Sequence, residues 1–356
     1  NGKYGLRSLF AVVIILLVIF SGYSFYKLSK STAESYVPSG YNQQWQKAMN
    51  WTRENTPTNA VFGHWWDYGY WVQSMGERAT VLDGGNIISY WNYFMGRYAL
   101  TGPSEKEALE FLYPHNVTHF LIDSSDIGKY GAFSAIGSDI NYDRQSWIPV
   151  MARDNSQTVE RKNTTLTIYA GGSFIDQDIR YNLDGTEIFL PGGKAALGAV
   201  MIETENDTIV GNVRGIFVYQ EKQYVLPLRY YFDKDLIDSG FGVDAGVFLF
   251  PRLVTEGNGG YVEERGALLY LSPRVVHSQL ARIYLYGEET SAYKLAYTQS
   301  DSLIDNLRSQ NINAGEFLLF GDFRGPIKIW EINYPSDIAY KEEYLETSYP
   351  EQLYRA

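Results

Sequence analysis

The sequence predicts a mixed α/β core domain that carries a β-rich insertion and is preceded by one transmembrane helix. Three observations lead there. The run Ser8–Tyr26 contains nineteen residues without a charge, long enough to cross a bilayer as a helix. Between about residues 45 and 122, helical and strand patterns alternate, the order expected of a small mixed core. From about Leu166 the pattern changes to short alternating runs divided by Gly and Asp turns, which reads as all-β.

The N-terminal run is bracketed by Lys3 and Arg7 on one side and by Lys27 and Lys30 on the other. A signal peptide has a similar apolar centre. A true span is favoured because Asn1-Gly2-Lys3 reads as the interior of a longer protein. The basic residues are balanced two against two, so they do not orient the span.

After Ser39-Gly40, the residues Trp45, Ala48 and Met49 fall at helical spacing, and the helix is expected to stop before Thr56-Pro57. A strand over Ala60–Phe62 then runs into Trp65-Trp66-Asp67-Tyr68-Gly69, expected to open a helix through Tyr70, Trp71 and Met75. A second strand, Thr80–Leu82, breaks at Asp83-Gly84-Gly85. Ser104 and Glu107 form a capping box ahead of Leu109 and Leu112, and Phe120–Ile122 is a third strand. In the β-rich part, Asn182-Leu183-Asp184-Gly185 and Asn258-Gly259-Gly260 signal hairpins. Ile216–Tyr219, Tyr224–Leu226 and Gly246–Phe250 read as strands. Ser272-Pro273 reads as the start of a helix with Val276, Leu280, Ile283 and Tyr284 on one face. Ile327–Ile332 is a late strand. The expected organisation is a membrane segment over 1–30, a core over 31–165, an insertion over 166–267 and a return to the core over 268–356.

Composition narrows the function. The 356 residues carry a net charge of −11 and no Cys. An acidic surface argues against nucleic acid as a partner, and without Cys neither disulfides nor thiolate zinc sites can form. His115 and His119 have a zinc-like spacing, but Asn116 stands where a metalloprotease needs Glu. Asp139, Asn141 and Asp143 start like a calcium loop, yet Arg144 and Val150 replace the required Gly and Glu. His64 beside the aromatic motif reads as a packed neighbour. No metal ligand is therefore assigned.

The string Trp65–Gly69 is the strongest signal. Two indole donors and one carboxylate acceptor in a loop can grip a small hydroxyl group while the rings exclude water. It resembles the WWDYG signature of the oligosaccharyltransferase catalytic subunit, the membrane enzyme that moves a lipid-linked oligosaccharide onto Asn in Asn-X-Ser/Thr sequons. The likeness extends to Trp51–Pro57, Ala60–Gly63, Arg78–Asn86 and His119–Asp123, in the archaeal form of the soluble domain. It implies that this domain follows the last membrane helix on the extracellular face of a multi-pass protein in the cell membrane.

The segment Asp123–Phe133 resembles the family's second element, Asp and Lys three residues apart with a Met or Ile four residues later. Asp126 and Lys129 match, and on a helix they share a face and could form a local ion pair. Phe133 departs from the pattern, and Ile136 is the nearest aliphatic residue. The resemblance implies an acceptor-peptide site of Trp65, Trp66, Asp67, Asp126, Lys129 and Ile136. It also implies a contact from Tyr68 to the lipid-linked donor, and Gly69 is expected to let the backbone turn tightly. A divalent cation, Mn2+ or Mg2+, is implied in an N-terminal membrane half that these residues lack, so no cofactor is expected on this chain and this chain alone is expected to be inactive. The implied partners are an acceptor sequon, the lipid-linked oligosaccharide, the membrane and that N-terminal half.

Two other functions compete. One is a carbohydrate-binding module that uses Trp65, Trp66 and Tyr68 as a stacking platform. The other is a membrane-anchored surface-layer protein in which the aromatic motif is merely packed. Four sequons, at Asn50, Asn116, Asn163 and Asn206, fit an outward location weakly.

Overall fold

A computed structural model describes residues 2–35, 40–183, 185–257 and 259–350. The chain divides into two compact units, Asn1–Trp45 and Gln46–Ala356. In the first, helix α1 (Gly2–Ser35) is 34 residues long. Its segment Arg7–Glu34 is long and apolar enough to cross a membrane, and its apolar side chains, such as Phe10, Leu16 and Phe20, are exposed throughout. At 1.5 Å per residue, 28 residues reach about 42 Å, more than a bilayer's hydrocarbon core.

Helix α2 (Gln43–Asn55), which lies in the second unit from Gln46 onward, buries Ala48 and Met49 completely. Arg78 closes its C-terminal end. The guanidinium donates to the carbonyls of Arg53 and Thr56, both at 2.7 Å, and to Thr56 Oγ1 at 2.9 Å. A cation there satisfies carbonyls that the helix leaves unpaired.

A five-stranded sheet follows. Strands β1 (Val61–Gly63), β2 (Ala79–Thr80) and β3 (His119–Ile122) are parallel, with β1 in the middle. Ile327–Ile332 pairs antiparallel with β3, and Tyr293–Gln299 pairs antiparallel with Ile327–Ile332. Strand β3 is buried along its whole length, as a strand covered on both faces must be. Helix α3 (Gly69–Ser74) follows β1. Next come α4 (Ser89–Phe94) and α5 (Glu105–Leu112), the latter with Ser104 Oγ accepting from Glu107 N as the capping box requires. Helix α6 (Asp126–Ile136) follows β3.

The β-rich part forms a twelve-stranded sheet. It reaches beyond 166–267, taking in Val150–Arg153 on one side and Leu318–Arg324 on the other. Lys222–Phe232 pairs in parallel with Val243–Glu256, which closes seven of the strands into a ring around a core that includes Leu197, Val200, Phe217, Leu226, Val247 and Leu268. Closure removes the exposed edges that an open sheet would present. Both expected hairpins occur, with Leu183 paired to Thr186 and Glu256 paired to Gly259. Their turn residues Asp184 and Asn258 lie outside the described residues.

Two segments differ most from the sequence reading. The helix expected from Ser272-Pro273 is instead a series of turns, followed by a wide helical turn over Leu280–Leu285. Gln279 N donates to Gly102 O, so the chain is held by another segment where a helix would need its own bonds. The run Ser89–Leu100, which carried no helical expectation, is helical and widens over Met95–Leu100. Burial of Tyr90, Tyr93 and Phe94 in an aromatic cluster with Tyr344 and Tyr349 overrides the modest helix propensity of aromatic residues.

Candidate functional site

The topology places the two motifs together. Strands β1 and β3 are parallel neighbours, with Gly63 opposite Phe120, so their C-terminal ends open on the same side. The chain leaving β1 becomes His64–Gly69, and the chain leaving β3 becomes Asp123–Lys129. The loop leaving β2, Leu82–Gly85, packs against the same place. Crevices at the C-terminal ends of parallel strands are common binding sites.

Each motif residue has a distinct environment. Trp65 is only 2% exposed, and its ring meets Phe133 of α6 edge-on at 5.4 Å. Trp66 is half-buried, tilted against Trp65 at 6.3 Å between ring centres. Asp67 keeps 24% of its side chain exposed, and its Oδ2 lies 2.7 Å from Lys129 Nζ. Where the sequence leads one to expect two open indoles, Trp66 is half-buried and Trp65 is sealed, because Phe133 covers it.

Tyr68 is 2% exposed. Its hydroxyl donates to Asp126 Oδ1 at 2.6 Å, lies 3.0 Å from Ser125 Oγ and accepts from Lys129 Nζ at 3.1 Å. Lys129 Nζ also stands 4.5 Å from the centre of the Tyr68 ring, a cation–π distance. The phenol expected to meet a donor molecule is thus committed internally, as a brace between the two motifs. The local pair expected between Asp126 and Lys129 is replaced by a cross-motif pair. Lys129 turns to Asp67, while Asp126 takes the tyrosine hydroxyl and the backbone N–H of Asp123 at 3.0 Å.

Burial sets the charges. Asp126 is almost fully enclosed, and desolvation pushes its carboxyl up to about 7 against the opposing pull of Lys129. Asp123 is raised in the same way, while its Oδ1 accepts from Ser125 N at 2.8 Å and from the Ser125 hydroxyl. The same burial, with the nearby Asp126 and Asp123 carboxylates, holds the Tyr68 phenol well above its ordinary range. His64 is enclosed completely, which lowers it to about 4, so it is neutral near pH 7. Its Nδ1 donates to Trp65 O at 2.7 Å.

Gly69 has helical torsions, φ −53° and ψ −48°, so no tight turn demands glycine. Close approach does. A Cβ there would lie 2.4 Å from Asp83 Cα and 2.5 Å from Leu82 O, inside any real contact. On α6, Lys129 and Ile136 are seven residues apart and therefore nearly in line. Phe133, between them, points into the core and is fully buried, whereas Ile136 is half-buried.

Among the described residues, no group of three or more His, Asp or Glu side chains is placed to hold a metal ion. His115 bonds the carbonyl of Tyr344, and His119 bonds Thr118. Asp143 forms a two-point pair with Arg97, and Asp139 Oδ1 caps the N–H groups of Asn141 and Asp143.

No protein-family model matches the chain. Individual proteins do. Dolichyl-phosphooligosaccharide-protein glycotransferase 1 of Pyrococcus furiosus is 29% identical over 143 residues, covering 39% of this chain and 14% of the relative. Its namesake in Pyrococcus horikoshii is 33% identical over 101 residues, covering 27% and 10%. The stt3 subunit of the dolichyl-diphosphooligosaccharide–protein glycosyltransferase of Schizosaccharomyces pombe is 34% identical over 98 residues, covering 25% and 13%. This chain is homologous to the C-terminal part of oligosaccharyltransferase catalytic subunits. Its matched stretches span only 10 to 14% of these three relatives' own length. Among solved structures, the archaeal oligosaccharyltransferase AglB from Archaeoglobus fulgidus, in complex with an inhibitory peptide and a dolichol-phosphate, is 13% identical with a TM-score of 0.41, covering 84% of this chain and 33% of that one.

Within this oligosaccharyltransferase homologue, Asp123 and Ser125 were missed as parts of the site. Their signal was available, because Asp-Ser-Ser directly after a strand favours side-chain bonds to nearby backbone N–H groups.

Proposed function

We propose that this unit selects the acceptor Asn-X-Ser/Thr sequon for an oligosaccharyltransferase that transfers a lipid-linked oligosaccharide to the asparagine. The observation that carries the reading is the placement of Asp67. Its side chain keeps 24% of its surface exposed, the half-buried Trp66 directly precedes it in the chain, and among the described residues Lys129 engages Oδ2 alone. An acceptor-only group with a free oxygen, next to an indole donor, fits a hydroxyl that both donates and accepts.

The sequon hydroxyl donates to Asp67 and accepts from the Trp66 indole N–H, and Trp65 supplies a rigid wall behind them. A hydrogen bond to a charged group contributes about 1.5–3 kcal/mol. A residue without the hydroxyl is rejected for lack of that bond. Ile136 is the aliphatic contact for the Thr methyl, since Phe133 is sealed beneath Trp65. Lys129, held by both Tyr68 and Asp67, fixes the carboxylate.

The acceptor-binding role alone does not perform transfer. The divalent cation and the donor phosphate belong to the N-terminal membrane half in this reading, and no step is assigned to a metal on this chain. The domain faces the outside of the cell, anchored through α1. The exposure of Asp67 and Trp66 disfavours a merely packed motif, and the burial of Trp65 and Tyr68 disfavours a three-ring sugar platform.

The test is Asp67→Ala in the full-length enzyme. Transfer to a sequon peptide should fall by roughly 10- to 150-fold, the equivalent of about 1.5–3 kcal/mol, with donor binding unchanged; transfer at the wild-type rate would sink the proposal.

A further inference from the structure

The chain contains four Asn-X-Thr triplets, and the fold treats them differently. Asn50 lies on α2, its Oδ1 accepts from Arg53 at 2.8 Å, and the Thr52 hydroxyl two residues on is fully buried. Asn116 is exposed in a left-handed turn, but Thr118 Oγ1 is built into the sheet, accepting from Val61 N at 3.1 Å and lying 2.9 Å from His119 Nδ1. In both, the hydroxyl that a sequon reader must grip is out of reach.

In the other two the asparagine is exposed and the threonine hydroxyl is not engaged among the described residues. Asn163-Thr164 lies at the tip of a hairpin joining Val159–Glu160 to Thr165–Phe174, closed by Arg161 N donating to Thr164 O at 2.7 Å, and the half-buried Thr165 opens the second strand. Asn206-Asp207 forms the two-residue turn joining Ala196–Glu205 to Thr208–Ile209, with φ of 48° and 60°. Asn163 and Asn206 are exposed, and neither their amides nor the hydroxyls of Thr165 and Thr208 hold a hydrogen bond among the described residues. The two tips are neighbours, because Thr165 pairs with Thr204 and Arg161 faces Glu203 at 3.8 Å.

The geometry points to Asn163 and Asn206 as glycan-acceptor sites on this chain itself, with Asn163 the better acceptor. This rests on the reading of the unit as an outward-facing part of an oligosaccharyltransferase. The ranking has two physical causes. The middle residue Asp207 would bring a second carboxylate towards a reader that already presents Asp67, and like charges repel. Arg265 also holds the Asp207 carbonyl at 2.8 Å, which stiffens that turn against the rearrangement a bound sequon needs. In the transfer, Asn163 Nδ2 bonds to the anomeric carbon of a lipid-linked oligosaccharide. The bond from that carbon to the lipid phosphate oxygen breaks, the lipid phosphate leaves, and the amide proton passes to water.

The test is glycopeptide mass spectrometry on the chain recovered from the membranes of the cells that make it. Glycan is expected at Asn163, at lower occupancy at Asn206, and not at Asn50 or Asn116. Thr165→Ala should remove it from Asn163 and leave Asn206 as before. Other outward-facing membrane proteins of the same cells are the reference. Glycan on their sequons with Asn163 and Asn206 bare overturns this inference alone, and sequons bare everywhere overturn it together with the functional reading. Equal occupancy at Asn50 or Asn116 shows that the fold does not select, and overturns the argument from accessibility.

Discussion

Replacing Tyr68 by Phe separates a brace from a substrate contact. The substitution keeps the ring, including the face turned to Lys129, and deletes the hydroxyl that joins Asp126, Ser125 and Lys129 at 2.6, 3.0 and 3.1 Å. A hydrogen bond to an ionised group contributes about 1.5–3 kcal/mol and a neutral one about 1 kcal/mol. With Asp126 ionised, at pH 8, the loss should therefore be about 2–4 kcal/mol. At pH 5.5, below the value of about 7 to which burial raises Asp126, the carboxyl is protonated while Lys129 keeps its charge, and the loss should be smaller by about 1 kcal/mol. Denaturant unfolding of the full chain in detergent, followed by tryptophan fluorescence at both pH values, gives the comparison. In the complete enzyme the acceptor KM should rise while the donor KM holds. Equal losses at the two pH values, or a donor KM that rises alone, would refute the reasoning.

Further outcomes follow from the same geometry. Asp126 holds its proton in the folded state up to about pH 7, whereas the unfolded chain releases it near 4. Its contribution is full below about pH 4 and is lost as pH rises through 7, so unfolding free energy should fall over that window and Asp126→Asn should flatten the slope. Identical slopes in the two proteins would contradict this. Gly69→Ala should destabilise by about 1–3 kcal/mol, the usual cost of overpacking, because its Cβ meets the backbone of Leu82 and Asp83; an unchanged denaturation midpoint would count against the close approach. Ile136→Ala in the full-length enzyme should reduce the Thr over Ser preference by up to about fourfold, the equivalent of about 0.8 kcal/mol for one methyl. An unchanged ratio in peptide competition would remove Ile136 from the site.

Much of the α/β core was legible because its signals are local. The capping box at Ser104 and Glu107 reappears as the expected bond, and the strands at Val61–Gly63, His119–Ile122 and Ile327–Ile332 lie within a residue or so of their apolar runs. Where distant segments decide, the reading failed. Ser89–Phe94 is helical because of ring contacts reaching as far as Tyr344 and Tyr349. Pro273 starts no helix because Gly102 takes the N–H of Gln279. The strand Tyr293–Gln299, paired across a register shift with Ile327–Ile332, gave no clear alternation.

At the site, the residue types alone determined that Trp66, Asp67 and Lys129 offer an indole donor, a carboxylate acceptor and an ammonium group, because donors, acceptors and charge belong to the side chains themselves. Which of them face outward was decided by the tertiary structure. Asp67 and Tyr68 are adjacent in the chain, yet one keeps an oxygen at the surface and the other is sealed against Asp126. Parallel pairing of β1 with β3 sets that division by bringing α6 alongside the motif. Burial there has opposite consequences for neighbouring groups, lowering His64 and raising Asp126, and no spacing rule within the sequence encodes how deeply each one lies.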